Sequence, residues 1–289
     1  MKIDKASRTA QYMALFRALE TNRASNDKLF EDPYAINFLD NRLKFATKAS
    51  RIPGFRKFIT RIIQKRIPGA LSSGIARTRY IDDLLEKTIS HGIKQVLILG
   101  AGFDTRALRL NFLKSIPVIE IDHPNTSNFK KEIFKRSIGG LPKNVTWCQI
   151  DFNRQSLDEL AEEYHLDFMK PATIIWEGVT NYLTGEAINK TFSFINRFPK
   201  DSYVIFTYVH QQLLDKPDSF FGGEKLLKDL ENIEEHWTFG FMPDQLPAYL
   251  KKIGLTLLED LGATEYRNKY LAARNENGYE FYRVAIAKK

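Results

Sequence analysis

From residue 94 onward, short apolar runs alternate with stretches whose apolar residues follow helical spacing. The apolar runs read VLILG (96–100), PVIEID (117–122), VTWCQID (145–151), TIIWEGV (173–179) and YVIFTYV (203–209). Helical spacing intervenes at 105–113, 125–138, 155–164 and 186–197. This alternation predicts an α/β fold with a mainly parallel sheet, right-handed crossovers and a ligand site at the carboxyl ends of the strands.

Both ends of the chain depart from that alternation. Residues 1–90 have helical spacing throughout, interrupted by prolines and glycines, and predict a helical cap. Residues 255–262 and 281–289 read as two final strands joined by a long loop over 265–279, which makes the last strand antiparallel. Residues 211–241 predict an irregular insertion that serves as a lid. We therefore expect a cap (1–90) and a core (91–289) in one integrated domain, because 289 residues that are 43% hydrophobic can bury one large core.

The first run of the alternation carries the most informative motif, QVLILGAGFDTR at 95–106. A strand that enters a turn at Gly100 and Gly102 and leaves into a helix is typical of a nucleotide-binding site. Twenty residues after Gly102, the second strand ends at Asp122, where a carboxylate can accept hydrogen bonds from both hydroxyls of a ribose. Glu120 is the alternative acid. The motif predicts that the chain binds an adenosine-containing molecule.

The same turn indicates which adenosine compound is bound. A dinucleotide-binding turn needs a third glycine, and that position is Thr105 here. Asp104 stands where the helix begins, so its carboxylate can cap the helix amides and would repel a phosphate. S-adenosylmethionine, which has a sulfonium and no phosphate, suits this turn better than NAD. Asp104 as a simple helix cap is the alternative interpretation, and it disfavours NAD equally.

Charge is concentrated in the predicted cap. Of the net charge of +8, residues 1–91 contribute 18 Lys and Arg against 9 Asp and Glu, and the segment 42–66 holds nine bases and no acid. Apolar residues at 55, 58, 59, 62, 63 and 67 predict a helix with one apolar and one basic face. A solvated cap helix is the first interpretation; attraction of an anionic substrate or acidic carrier is the second, and a membrane surface or nucleic acid the last. Nucleic acid is disfavoured because no binding motif accompanies the segment.

Other features bound the class of protein. No apolar run approaches the length of a membrane span, and the N-terminus lacks an apolar signal core. The single cysteine, Cys148, lies in a predicted strand, so we expect a buried, reduced thiol in a cytoplasmic protein. The five histidines show no zinc-site spacing, and no metal is expected.

The assembled motifs resemble the leucine carboxyl methyltransferase family of S-adenosylmethionine-dependent enzymes, in particular the bacterial branch that acts on small molecules. The motifs are SRTA (7–10), LFEDPYA (29–35), ARTRYIDD (76–83), GAGFDTR (100–106), EIDHP (120–124), DF (151–152) and EGVTNYL (177–183). Each is modest alone, but their order along nearly the whole chain is specific. The resemblance implies a Rossmann-like class I methyltransferase fold, a seven-stranded, mostly parallel sheet with an antiparallel last strand.

The resemblance also implies roles at the sulfonium end of the cofactor. Arg77 matches the arginine that pairs with the methionine carboxylate, a geometry that a guanidinium fork suits. Its alternative is a surface ion pair with Asp82 or Asp83. Glu177 matches a residue near the ammonium and sulfonium, and a buried salt bridge elsewhere is its alternative role.

At the adenosine end, the resemblance assigns a further set of residues. Gly100 and Gly102 let the backbone approach the cofactor, and Asp122 matches the ribose-binding acid. Asp151 and Phe152 match the pair beside the adenine; the alternative for Asp151 is a helix cap.

Two kinds of acceptor remain open, both of them small molecules. A carboxylate, free or carrier-bound, is ionised at neutral pH and needs no general base, and it is our first expectation. A phenol needs a base, for which His210 is the candidate, although a polar residue that anchors the lid is the alternative interpretation. Tyr182 is the other candidate for a catalytic role. The rival functions are an NAD(P)-dependent oxidoreductase and a non-catalytic cofactor-binding scaffold; the sequence does not indicate an oligomeric state.

Overall fold

The structure, a computed structural model, describes residues 6–151, 154–274 and 276–289. The helices are α1 (Ala6–Thr21), α2 (Asn41–Ala49), α3 (Pro53–Arg66), α4 (Ala70–Ser90), α5 (Arg106–Arg109), α6 (Pro124–Ile138), α7 (Leu157–Glu163), α8 (Gly185–Ile195), α9 (Gln212–Asp215), α10 (Gly223–Glu231), α11 (Leu246–Lys252) and α12 (Ala263–Leu271). Short 3-10 turns cover Ala35–Phe38, Asn111–Leu113, Thr180–Tyr182 and Pro217–Ser219.

Seven strands form one twisted sheet in the order β3-β2-β1-β4-β5-β7-β6. Their bounds are β1 (Val96–Leu99), β2 (Val118–Asp122), β3 (Val145–Gln149), β4 (Thr173–Trp176), β5 (Tyr203–Val209), β6 (Thr256–Leu261) and β7 (Tyr282–Lys288). Strands β1 to β5 pair in parallel, whereas β7 runs antiparallel to both β5 and β6. The predicted mostly parallel sheet with an antiparallel last strand is confirmed. Because the strand order reverses between β1 and β4, the crevice at their carboxyl ends is the expected ligand site.

Each face of the sheet is covered by its own apolar core. One core joins Leu97, Trp176 and Phe206 to the side chains of α8 and α11. The opposite core joins Ile98 and Ile175 to α4 and α12. A third cluster lies beneath the cap, where side chains of α1 and α4 pack with Phe103 of the glycine turn. The cap is therefore seated directly on the predicted cofactor site.

Two predictions about connecting segments are wrong. Residues 263–271 form helix α12 where a loop was expected, because Tyr266 and Leu271 bury their side chains in the core shared with α4. Their mixture of polar and aromatic residues gives a weak helical pattern, so packing decides the structure. The lid segment (211–241) is also less irregular than predicted, since it contains α9 and α10.

The helix that the apolar spacing over 55–67 predicts is α3, and the rest of the basic segment forms a separate helix, α2. The prediction that the apolar residues of α3 form a single buried face is wrong, however. Ile63 is buried and Ile59 and Ile67 pack against the cap cluster, but Phe55 and Phe58 are exposed by 54% and 62%. Within the described residues, no helix is both long enough and apolar enough to cross a membrane.

Candidate functional site

The glycine turn follows β1 and leads into α5. Gly100 and Gly102 have positive φ angles of 67° and 49°, a conformation that favours glycine. The amides of Gly100 and Ala101 both donate to the carbonyl of Ile121, at 2.8 and 3.2 Å. A Cβ added at Gly100 would collide with Val179, so the loop after β4 packs tightly on this turn. The turn therefore leaves no room for a side chain at Gly100.

Asp122 lies beside the turn at the end of β2, as predicted. One carboxylate oxygen accepts the amide of Gly102, and the other accepts the amide of His123 at 2.6 Å. Burial raises the pKa of Asp122, although these two amides oppose the shift. Each oxygen of a carboxylate can accept a second hydrogen bond, so the residue keeps capacity for two hydroxyls of a ribose.

Glu120, the alternative ribose-binding acid, has another partner. Its carboxylate lies 2.7 Å from the ammonium of Lys130 on α6, and both side chains are buried. Burial raises the pKa of Glu120 to about 7, a shift that the Lys130 charge opposes. The sequence did not predict this ion pair, although Lys130 follows Glu120 by ten residues. Because the pair occupies Glu120, Asp122 is the better candidate for a ribose ligand.

Asp104 caps the segment that follows the turn. Its carboxylate accepts the backbone amide of Arg106 at 2.6 Å and pairs with the guanidinium of the same residue at 2.5 Å. Burial acts to raise the pKa of Asp104, but Arg106 and Lys130 outweigh it and hold the pKa at about 2. A permanent negative charge therefore stands where a dinucleotide-binding turn would place a phosphate.

Arg77, Glu177 and Arg106 form a charge cluster between α4, the end of β4 and the glycine turn, in which both arginines are buried and Glu177 is partly buried. One oxygen of Glu177 lies 2.9 Å from Arg77, and the other lies 2.9 Å from Arg106. Burial opposes ionisation of Glu177, but the two arginines outweigh it and lower its pKa. Arg106 also pairs with Asp82 at 2.8 Å. The alternative interpretation of Arg77, a surface ion pair with Asp82 or Asp83, is thus wrong.

The guanidinium of Arg77 has capacity for another anion. It makes one carboxylate contact, lies 4.4 Å from the ring centre of Tyr282, and directs a further nitrogen at the sulfur of Met13, 3.3 Å away. A thioether is a weak hydrogen-bond acceptor, so a carboxylate would be a stronger partner for that nitrogen. Arg77 and Glu177 together fit the carboxylate and ammonium groups of an amino acid.

Asp151 follows β3, on the adenine side of the expected site. Its carbonyl accepts the amides of Arg154 and Gln155 at 2.8 and 2.9 Å, and its carboxylate lies 3.6 Å from the Arg154 guanidinium. Phe152, its predicted companion, lies outside the described residues. The adenine-binding roles of both residues remain predictions.

Tyr182 lies after β4 and contacts the lid segment. Its hydroxyl donates to one oxygen of Glu235 at 2.8 Å, and the hydroxyl of Thr9 on α1 donates to the same oxygen at 2.9 Å. Burial and Glu235 raise the pKa of Tyr182, so the phenol stays protonated. The neighbouring Asn181 is 1% exposed, and neither polar atom of its amide has a partner among the described residues.

Two aromatic rings, those of Trp237 and Tyr282, link Tyr182 to the charge cluster. The ring of Trp237 lies 6.3 Å from Tyr182 and 6.0 Å from Tyr282, which in turn stacks on Arg77. The other oxygen of Glu235 and the indole nitrogen of Trp237 are buried, and neither has a partner in the described part of the chain. Sequence reasoning missed Asn181 and Glu235 as site residues; Glu235 lies 53 positions from Tyr182, and no local pattern connects the two.

His210 lies at the end of β5, where the lid segment begins. Its Nδ1 accepts the amide of Gln212 at 3.1 Å, and its ring packs on Phe220 with the centres 5.3 Å apart. Burial lowers the pKa of His210, and the nearby Arg283 adds to the shift. These contacts agree with the alternative interpretation, a residue that anchors the lid.

Comparison with known proteins relates the chain to a family. The sequence profile of the family described as leucine carboxyl methyltransferase matches residues 10–196. A candidate S-adenosyl-L-methionine-dependent methyltransferase of Frankia alni is 30% identical over 187 residues, which cover 62% of this chain and 60% of that protein. A protein of the same description from Mycolicibacterium paratuberculosis is 31% identical over 189 residues, covering 65% and 61% of the two chains. This chain thus spans about 60% of the length of these curated relatives.

Solved structures agree on the fold. A candidate methyltransferase from Thermobifida fusca superposes with a TM-score of 0.58 at 16% identity, over 94% of this chain and 97% of that one. A DUF574 family protein from Streptomyces avermitilis gives 0.58 at 14% identity, over 94% and 99%. At these identities the likeness concerns the fold alone, and it confirms the Rossmann-like architecture. Taken with the matched profile, which spans the glycine turn, Asp122 and Glu177, it shows that the chain belongs to the leucine carboxyl methyltransferase family, as its motifs predicted.

Proposed function

We propose that the protein is an S-adenosylmethionine-dependent methyltransferase that acts on an oxygen of a small-molecule acceptor. The observation that carries the proposal is the pairing of Arg77 with Glu177 at the end of β4. A buried cation and a partly buried anion lie side by side there, and Arg77 keeps a nitrogen for another carboxylate. That arrangement complements the amino acid moiety of S-adenosylmethionine.

The residues around this pair complete a cofactor site. Asp122 would accept the ribose hydroxyls, and the backbone at Gly100 and Gly102 would contact the cofactor. Asp151 would bind at the adenine. When bound, the cofactor supplies a methyl group already activated by its sulfonium, so the protein has to align the acceptor and exclude water.

An NAD(P)-dependent oxidoreductase fits the same turn poorly. Asp104 is ionised and already accepts the first amide of α5, so a pyrophosphate would meet a fixed negative charge. The discriminating experiment is equilibrium dialysis with labelled S-adenosylmethionine, challenged with NADH or NADPH. We expect retention of the label and no displacement; displacement by a nicotinamide cofactor would overturn the proposal. Tight retention without methyl transfer to a broad panel of acids and phenols would instead support a scaffold.

A carboxylate is the acceptor that the sequence favours. Its pocket needs amides or cations, and the buried amide of Asn181 supports such a pocket because both of its polar atoms lack partners in the described residues. The cations nearest the sulfonium end contribute less, since Arg77 and Arg106 are already balanced by Glu177, Asp104 and Asp82.

A hydroxyl acceptor is the second candidate, and Glu235 favours it. Its buried, unpartnered oxygen lies beside Tyr182, where it would repel a carboxylate and could accept a proton from a hydroxyl. Glu235 is better placed for this role than His210, whose Nδ1 is occupied by the Gln212 amide.

The substitution Glu235→Gln distinguishes the two acceptors. With a hydroxyl acceptor, loss of the base lowers kcat by roughly 10²–10⁴-fold. With a carboxylate acceptor, kcat falls little and the apparent affinity for the acid rises. The control is His210→Gln, which we expect to keep kcat close to the wild-type value in both cases.

A further inference from the structure

The cap carries an exposed surface that is both apolar and cationic, and the methyltransferase proposal does not use it. We call it the cap surface and define it as the exposed side chains of α2, α3 and the turn between them. Its large apolar members are Phe45, Ile52, Phe55, Phe58 and Ile62, exposed by 75%, 57%, 54%, 62% and 41%. These side chains are large, and they are close together in the chain, so they differ from scattered surface residues.

On α3, the apolar and basic side chains form adjacent stripes. Phe55, Phe58 and Ile62 are spaced three and four residues apart and therefore share one face of the helix. Lys57, Arg61 and Lys65 follow a spacing of four and lie along one side of that face, all exposed. The adjoining side of α3 is held on the protein by Ile59, Ile63 and Ile67. The exposed face of α3 is consequently a fixed feature of the fold.

Among the residues that the structure describes, no acidic side chain pairs with the positive charges of this surface. Nine Lys and Arg lie in residues 42–66, and the sequence contains no Asp or Glu between Asp40 and Asp82. None of the nine forms an ion pair with another residue in the described ranges, whereas most buried arginines of the core have acidic partners. A partner would have to supply the negative charge.

An anionic lipid bilayer offers this surface both negative charge and an apolar environment. Its headgroups offer negative charge to Lys57, Arg61 and Lys65, and its acyl boundary accepts Phe55 and Phe58, which water contacts now. Nucleic acid matches the charge but offers no apolar phase to the phenylalanines. We propose that α2 and α3 dock the protein on the surface of a membrane rich in anionic lipid. Helix α3 packs against α4, which carries Arg77. The docked surface therefore belongs to the same cap that lies over the proposed cofactor site.

The test is co-sedimentation of the full chain with phosphatidylglycerol–phosphatidylcholine vesicles and with pure phosphatidylcholine vesicles. We expect binding to the mixed vesicles, weakened by high salt because the attraction is partly electrostatic. The variant Phe55→Ser/Phe58→Ser should bind about tenfold or more weakly. The variant Lys57→Gln/Arg61→Gln/Lys65→Gln should lose about fivefold per charge removed.

Matched controls separate the surface from overall charge and hydrophobicity. Lys200→Gln/Lys251→Gln/Lys252→Gln removes the same charge from exposed lysines elsewhere, and Leu258→Ser removes an apolar side chain that is 52% exposed on β6. Both should bind vesicles as the wild type does. Three results would overturn the proposal: no vesicle binding by the wild type, equal loss in the controls, or a concentration-dependent dimer that Phe55→Ser/Phe58→Ser abolishes. Binding to duplex DNA in place of vesicles would also overturn it.

Discussion

The pair of Arg77, which is buried, and Glu177 allows a quantitative prediction about stability. In Glu177→Gln, Arg77 loses its carboxylate partner, and its remaining contacts among the described residues are the Tyr282 ring and the Met13 sulfur. Leaving a buried charge unpaired costs about 3–5 kcal/mol of the free energy of unfolding. In Arg77→Gln, Glu177 keeps Arg106 at 2.9 Å, so the loss should be smaller, about 1–3 kcal/mol.

The double variant completes a thermodynamic cycle. Because both single variants break the same contact, the double variant should lose about 2 kcal/mol less free energy of unfolding than the sum of the two single losses. Urea unfolding followed by circular dichroism measures all four proteins. Arg79 and Asp83 are the control pair: they lie on the same helix at 2.8 Å, but their side chains are 41% and 30% exposed. Their coupling should stay below about 0.5 kcal/mol.

The same cycle reports on cofactor binding. S-adenosylmethionine at roughly a hundred times its Kd should stabilise the wild type and the Arg79→Gln control by about 2.7 kcal/mol. It should stabilise Arg77→Gln far less. Additive effects of Arg77→Gln and Glu177→Gln, within about 0.5 kcal/mol, would refute the reasoning, because they would mean that the pair does not form in solution.

Three further predictions follow from the site and the core. The pKa of Glu120, raised to about 7 from its usual 4.5 by burial, means that the folded state retains a proton that the unfolded chain releases. The free energy of unfolding should therefore fall by about 3 kcal/mol as the pH rises from the usual pKa of a glutamate to the raised pKa of Glu120. Urea titrations at a pH below and a pH above this range measure the fall, and Glu120→Gln should remove it. Gly100→Ala should destabilise the fold by about 2–4 kcal/mol, because Gly100 has a positive φ and a Cβ there would collide with Val179. Thermal melts should show partial rescue by Val179→Ala, and a Gly100→Ala variant as stable as the wild type would contradict the close packing. The thiol of Cys148 is buried, which raises its pKa to about 12, so a thiol reagent should label it only in denaturant, and rapid labelling of the native protein would count against this burial.

Local patterns were sufficient to predict the sheet and the nucleotide-type turn. The strands are continuous apolar runs because both faces of the sheet are covered, and the turn needs glycines at two positive φ angles. The position of Asp122 followed from the same logic, since parallel strands end at one edge. Asp104 as a cap could also be predicted, because its partner is two residues away.

Features that depend on distant contacts could not be predicted. Glu235 meets Tyr182 and Thr9 from a segment far along the chain, so no spacing links them. The periodicity of α3 identified a helix with apolar residues, but it could not show that Phe55 and Phe58 face water while Ile63 faces the cap. Helical spacing reports which residues share a face, whereas the neighbouring elements decide which face is covered.

The most direct test of the central claim is the binding of S-adenosylmethionine to the wild type and to Asp122→Asn, measured by isothermal titration calorimetry. The substitution keeps the shape of the side chain and removes the charge that would hold the ribose. We predict a loss of about 1–3 kcal/mol in binding free energy, with Asp158→Asn, an exposed carboxylate on α7, as the control that binds normally. Equal affinity in Asp122→Asn and the wild type would contradict the account.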